Sequence, residues 1–243
     1  AAKAFERAWR LSGMKDLKNG YRAVRLFGES GAGGARECGR LAGAILDKLN
    51  GSAARELGMY AFGRCSHGNW DRKGAIVIGN KLLQRNLVRD PKRRGYLHYY
   101  VGEHLWNTGQ RVNAVSHYRK AWEQQRDNEP YLRQLIGRVY DSGTKAGQLK
   151  PFVDEYKKRF PENRLYLGAA LSNLAHSYAR DKQLAPALTT AAEAIVHDPN
   201  YRDIATYYVR WIHGMDEKRL PEAENIRETP SARPKRRSAT SFA

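Results

Sequence analysis

Seven histidines, two cysteines and one glycine-rich stretch are the places in this 243-residue sequence where chemistry could be done. His98, Glu103 and His104 come nearest to a cluster. A helix presents two metal ligands on one face in the spacing His-Glu-x-x-His, which these residues do not have, so they are read as core or surface residues. The stretch from Gly28 to Gly34 reads GESGAGG. A phosphate-cradling loop needs a lysine and then a serine or threonine directly after its glycines. Gly34 and Ala35 stand at those two positions, and no buried strand precedes them. The stretch is therefore read as a flexible connection and not as a nucleotide site. Cys38 and Cys65 belong to no paired metal-ligand spacing. They read as buried, reduced thiols, with a disulfide left open for an oxidising compartment. No Gly-x-Ser-x-Gly elbow is present. The expectation is a protein that is not an enzyme, with no catalytic residue, no cofactor and no metal.

Charge points elsewhere. The formal net charge is +18 and the isoelectric point is near 10.0, which implies an anionic partner: nucleic acid, an acidic protein surface or an anionic membrane. Arg85, Arg89, Lys92, Arg93 and Arg94 form the densest cluster within the patterned part of the chain. They fall at the end of an expected helix, where cations complement the helix dipole, and are the best local candidates for phosphate or carboxylate contacts. A second run, Lys235-Arg236-Arg237, lies in a proline-containing tail without periodicity. That tail is either disordered or a basic arm that orders along an anionic partner. No apolar run reaches the roughly 18 residues needed to span a bilayer, and no apolar signal core opens the chain, so a soluble protein is expected. The missing initial methionine fits the mature form of a periplasmic or organellar protein, free thiols fit the cytoplasm, and the residues favour neither.

The elements carrying these groups are helical by pattern. The clearest is Ala169 to Asn200, AALSNLAHSYARDKQLAPALTTAAEAIVHDPN. Leu171, Leu174, Ala175 and Tyr178 recur at helical spacing, Asp181-Lys182-Gln183 interrupts, and Ala187, Leu188, Ala191, Ala194 and Ile195 follow on a second helix. Ala175 and Ala187 are small enough to let the two backbones approach, with Tyr178 and Leu188 filling the space beside them. Pro199 ends the unit and Asn200 can cap the next helix.

This order of large, small, aromatic, small and closing proline resembles the tetratricopeptide repeat (TPR), a helix-turn-helix unit of about 34 residues. Two less regular copies precede it. One has Ile136-Gly137, Tyr140 and Pro161, with Leu149 and Val153 at positions that are usually small or aromatic. The other has Val101-Gly102, Gly109, Ala114, Tyr118 and Ala121. Gly102, Gly137 and Ala175 lie 35 and 38 residues apart by their numbering, with extra residues around Asn163 to Gly168. The resemblance implies an all-α fold, an α-α superhelix or solenoid of tetratricopeptide-like hairpins. Repeats are expected at 95–128, 130–161 and 168–200, a degenerate one at 54–91, and degenerate N-terminal hairpins at 1–53. A capping helix at 201–220 and a disordered basic tail at 221–243 complete the expected chain. At the N-terminus the apolar pattern breaks near Asn19-Gly20, a helix runs from Ala35 to Leu49, and Asn50-Gly51 stops it.

The resemblance also implies a binding face on the concave side, lined by the first helix of each repeat. Carried over residue by residue, the groove positions are Tyr96, Tyr99, Glu103 and Trp106, then Tyr131, Gln134, Arg138 and Asp141, then Ser172, His176 and Arg180. Tyr99 and Glu103 occupy the pair where members that clamp a peptide carboxylate carry lysine and asparagine, so that clamp is absent. Two functions remain. One is a protein-protein interaction scaffold holding a peptide or partner subunit within a larger assembly. The other is a basic helical-repeat component of a ribonucleoprotein, with cations on phosphates and aromatics on bases. The irregular spacing speaks against a one-base-per-repeat code. Oligomeric state stays open.

Overall fold

The computed structural model describes residues 1–198 and Asn200. The capping helix expected at 201–220 and the tail with Lys235, Arg236 and Arg237 lie outside the described residues. The fold is all-α, with eleven α-helices among the described residues: α1 (Ala2–Leu11), α2 (Leu17–Glu29), α3 (Ala32–Leu46), α4 (Gly51–Ser66), α5 (Arg72–Gln84), α6 (Pro91–Asn107), α7 (Arg111–Gln124), α8 (Glu129–Asp141), α9 (Ala146–Arg159), α10 (Arg164–Arg180) and α11 (Leu184–His197). The described residues divide into two compact units, one of Ala1–Tyr131 and one that begins at Leu132.

Short polar residues start several helices. Asp16 accepts from the Asn19 amide at 3.1 Å, Asp71 from Gly74 at 3.0 Å and Asp90 from Arg93 at 2.9 Å, with Pro91 in the first turn. Asn163 does the same for Tyr166 at 3.3 Å. Each cap satisfies an amide that the helix itself leaves unpaired. Asn163 thereby shows where the extra residues of the third repeat go: 164–168 are the opening turn of α10.

In the first unit, successive helices from α1 to α7 pack on one another. Trp9, Val24, Leu41, Ile45, Leu57, Phe62, Ile78, Leu82, Leu97, Tyr118 and Trp122 are buried between them. In the second unit, α10 packs along α9 and α11. Ala175, Ala179, Ala187, Leu188, Ala191 and Ile195 form one cluster there, with Tyr178 and Leu184 against its edge. Leu149 and Val153 are both buried, so branched side chains fill the core side of α9.

Three local expectations need correction. The N-terminal break is not at Asn19-Gly20 but at 12–16, where Gly13 and Met14 both take φ of +64°. Gly20 lies inside α2, and a Cβ there would stand 2.8 Å from Ile45 Cδ1 and 3.1 Å from Trp9 Cδ1, so its glycine serves close packing. The GESGAGG stretch is not a flexible connection. Gly28 belongs to α2, and only Ser30 and Gly31, with Gly31 at φ +68°, separate α2 from α3. Gly34 lies so close to α2 that a Cβ would meet the Phe27 carbonyl oxygen at 2.0 Å. The helix expected from Ala35 to Leu49 runs from Ala32 to Leu46, and Gly51 opens α4 instead of closing α3.

Candidate functional site

Among the described residues, helix α6 carries the densest aromatic surface. Its sequence GYLHYYVGEHLW sets Leu97, Val101 and Leu105 inward. The same helical turn leaves Tyr96 and Tyr100 outward, four residues apart and therefore on one stripe. Tyr96 is 40% exposed and Tyr100 36% exposed, with ring centroids 4.5 Å apart. Behind them Tyr99 lies 5.2 Å from Tyr100 edge-on and stacks on Tyr131 at 5.0 Å with planes 19° apart. Tyr99 also meets the buried Tyr118 edge-on at 5.9 Å, and Phe62 of α4 stands 6.4 Å from Tyr96. Such offset and edge contacts match the ring quadrupoles and fix the rings in place. The Gln125 amide nitrogen reaches the Tyr131 hydroxyl at 3.4 Å. Burial raises the hydroxyl pKa of Tyr96 and of Tyr131.

The other expected groove residues of this unit have neighbours of their own. The Tyr118 hydroxyl donates to Glu103 at 2.8 Å, and the Arg111 guanidinium covers the Trp106 ring at 5.3 Å. Tyr100 is absent from the groove positions read in the sequence. Its signal is there, as the i+4 partner of Tyr96, but counting by repeat position passes over it.

In the second unit, Gln134 is half-buried, and Arg138 pairs with Asp141 at 3.7 Å. The His176 ring lies 6.3 Å from Tyr140, with planes 27° apart. Burial, and then the Arg180 charge, lower the His176 pKa. Arg180 donates to the Thr144 carbonyl at 2.5 Å. Ser172 is only 3% exposed, so its side chain lies in the packing of α10.

The basic cluster separates into two kinds of residue. Arg85, at the end of α5, donates to the carbonyls of Leu46 and Leu49, the latter at 2.7 Å, and to Asn50 Oδ1 at 2.8 Å. It closes the C-terminus of α3. Arg94 holds Asn86 Oδ1 at 2.9 Å and the Val88 carbonyl at 3.1 Å. Arg89, Lys92 and Arg93 are exposed, and among the described residues they form no ion pair. Arg55 and Arg93 line a cavity of about 400 Å³ with Arg85 and Arg89. Arg55 is too far from the cluster in sequence to be marked by proximity there.

His98, His117, His104 and the two cysteines sit in packing roles. His98 and His117 face each other with Nδ1 atoms 3.2 Å apart, so one ring donates and the other accepts. His104 Nε2 is 3.0 Å from Ser66 Oγ. Cys38 and Cys65 are buried and unbonded. The Cys65 sulfur lies 3.6 Å from the Ala35 carbonyl, and the contact between the two thiols holds the Cys38 pKa down and pushes that of Cys65 up. Among the described residues no helix is long and apolar enough to cross a membrane.

No protein-family model matches the chain, and no curated protein matches it in sequence. Solved structures do match in fold. One is the crystal structure of YrrB, described as a TPR protein with an unusual peptide-binding site. It superposes with a TM-score of 0.50 at 18% sequence identity, over 82% of this chain and 94% of that one. The residues that carry the resemblance in sequence, the buried Ala175, Ala187 and Tyr118 and Gly102, where a Cβ would stand 3.1 Å from the Tyr118 ring, are the ones that bring paired helices together. The chain is a helical-repeat protein with the tetratricopeptide fold.

Proposed function

We propose that this chain is a non-catalytic protein-interaction scaffold that binds a peptide or a partner subunit, within a larger assembly, on the face presented by the first helices of its hairpins. The observation that carries this reading is the tyrosine platform of α6. Tyr96 and Tyr100 are exposed, adjacent and backed by Tyr99, Phe62 and Tyr131. Aromatic rings that are already packed lose little side-chain entropy on binding and offer a large contact area, which is the profile of an interface anchor. The likeness in fold to a TPR protein with a peptide-binding site supports the same class of role.

A basic RNA-binding component is the second reading, favoured by the exposed Arg89, Lys92 and Arg93 in a chain of net charge +18. Affinity capture from native lysate with and without nuclease separates the two. The scaffold reading expects a protein partner that survives nuclease and is lost with Tyr96→Ala plus Tyr100→Ala. Recovery of RNA alone, or loss of every partner with nuclease while the double variant behaves as wild type, overturns it.

A further inference from the structure

The first hairpin carries a second surface, separate from the tyrosine platform. Between α1 and α2 runs an open groove of about 680 Å³. Phe5, Leu17, Tyr21, Leu26 and Leu49 line it, and each is only half-buried. Single apolar residues at a surface are ordinary, but five converging on one concavity leave contiguous apolar area against water.

One edge of the groove is cationic. Lys18, Arg22 and Arg25 line it at spacings of four and three residues. That spacing puts them on one stripe of α2 along about 10 Å of its axis. The Arg22 guanidinium lies 5.6 Å from the Phe5 ring centroid. The Arg25 guanidinium lies 4.6 Å from Tyr60 and 5.8 Å from Tyr21. Aromatic faces therefore hold the arginine heads beside the groove. Among the described residues, none of the three cations forms an ion pair with a carboxylate. Of the nearby acids, Glu6 pairs with Arg10 and Arg40 and Asp16 caps α2, while Glu29, four residues beyond Arg25 at the end of α2, is exposed.

From this geometry we infer that the groove receives an acidic amphipathic helix of a partner protein. Apolar side chains on successive turns of that helix cover Phe5, Leu17, Leu26 and Leu49, and its flanking carboxylates face Lys18, Arg22 and Arg25. A single-headed amphiphile such as a fatty acid would engage one cation and leave the rest of the row unmatched. Three cations at helical pitch match a ligand whose carboxylates recur at helical pitch. Charge on the rim fixes the register of the guest, and the apolar floor supplies the area to be buried.

Fluorescence anisotropy with the full chain tests this. The probes are a labelled synthetic peptide of about 18 residues, with leucines at i, i+3, i+4 and i+7 and glutamates on the flanks, a scrambled peptide of the same composition, and a counterpart with lysine for glutamate. The acidic amphipathic peptide is expected to saturate the chain and the scrambled one to bind about tenfold more weakly or worse. Arg22→Glu plus Arg25→Glu should weaken the acidic peptide by about tenfold or more and bring in the lysine counterpart. Both residues are exposed, and circular dichroism checks that the variant folds. Tyr96→Ala plus Tyr100→Ala should leave this binding unchanged, which separates the groove from the platform. Equal binding of the scrambled peptide, no saturation by the acidic one, full affinity in the charge-reversed variant, or displacement of the peptide by dodecanoate would each overturn the assignment.

Discussion

His98 and His117 make stability depend on pH through two side chains. Burial, with His117, Lys120 and Arg94 nearby, pushes His98 down to about 3, and burial with Lys120 pushes His117 down to about 4. Both lie below the unfolded value near 6.5, so the folded chain binds fewer protons than the unfolded one in the interval between. The stabilisation from these neutral rings is whole above about pH 6.5 and is lost as pH falls towards 4, at up to about 1.4 kcal/mol per pH unit for each ring. Urea midpoints measured from pH 7 to pH 4.5 should fall steadily. His117→Gln, which keeps a polar partner for His98 but does not titrate, should flatten the fall. An unchanged slope in that variant would assign the acid sensitivity elsewhere. Gly34 is the other residue-scale test. A methyl carbon at this position would stand only 2.0 Å from the Phe27 carbonyl oxygen. Gly34→Ala therefore forces α2 and α3 apart and should cost about 1–3 kcal/mol or more in chemical denaturation.

At the scale of elements, Arg85 and Arg89 differ in what they do despite lying four residues apart. Arg85 links the end of α5 to the Leu46 carbonyl that ends α3 and to the Leu49 carbonyl just beyond it, bonds made by a charged donor to groups that the helix does not satisfy. Arg85→Ala should destabilise the chain by about 1.5–3 kcal/mol. Arg89→Ala, at an exposed position without an ion pair among the described residues, should stay within about 0.5 kcal/mol. Equal thermal shifts for the two variants would contradict the division of the basic cluster. Sequence shows that the cluster exists but not this division, because the acceptors of Arg85 are carbonyls 36 and 39 residues away.

For the whole molecule, a net charge of +18 sets up a long-range field that attracts polyanions. Retention on immobilised heparin should fall steeply with salt, as counterion release requires. Binding of a peptide to the tyrosine platform should change far less over the same range, because ring contacts are short-ranged and not screened. A parallel salt dependence for both would identify the platform's ligand as a polyanion and move weight to the RNA reading.

The helical class, the pairing of helices around Ala175 and Ala187, and the nomination of Tyr96, Tyr99 and Tyr131 are legible in the linear sequence. Periodicity and residue size are local properties and survive irregular spacing. The glycines are not legible in the same way. Gly20 and Gly34 look like breakers along the chain, but the folded structure uses them where helices cross too closely for a side chain. Arg55 and the groove of Phe5, Leu17, Tyr21, Leu26 and Leu49 also emerge only on folding. Whether an apolar residue ends in the core or at a half-open surface depends on which neighbours arrive from elsewhere in the chain, and packing alone settles that.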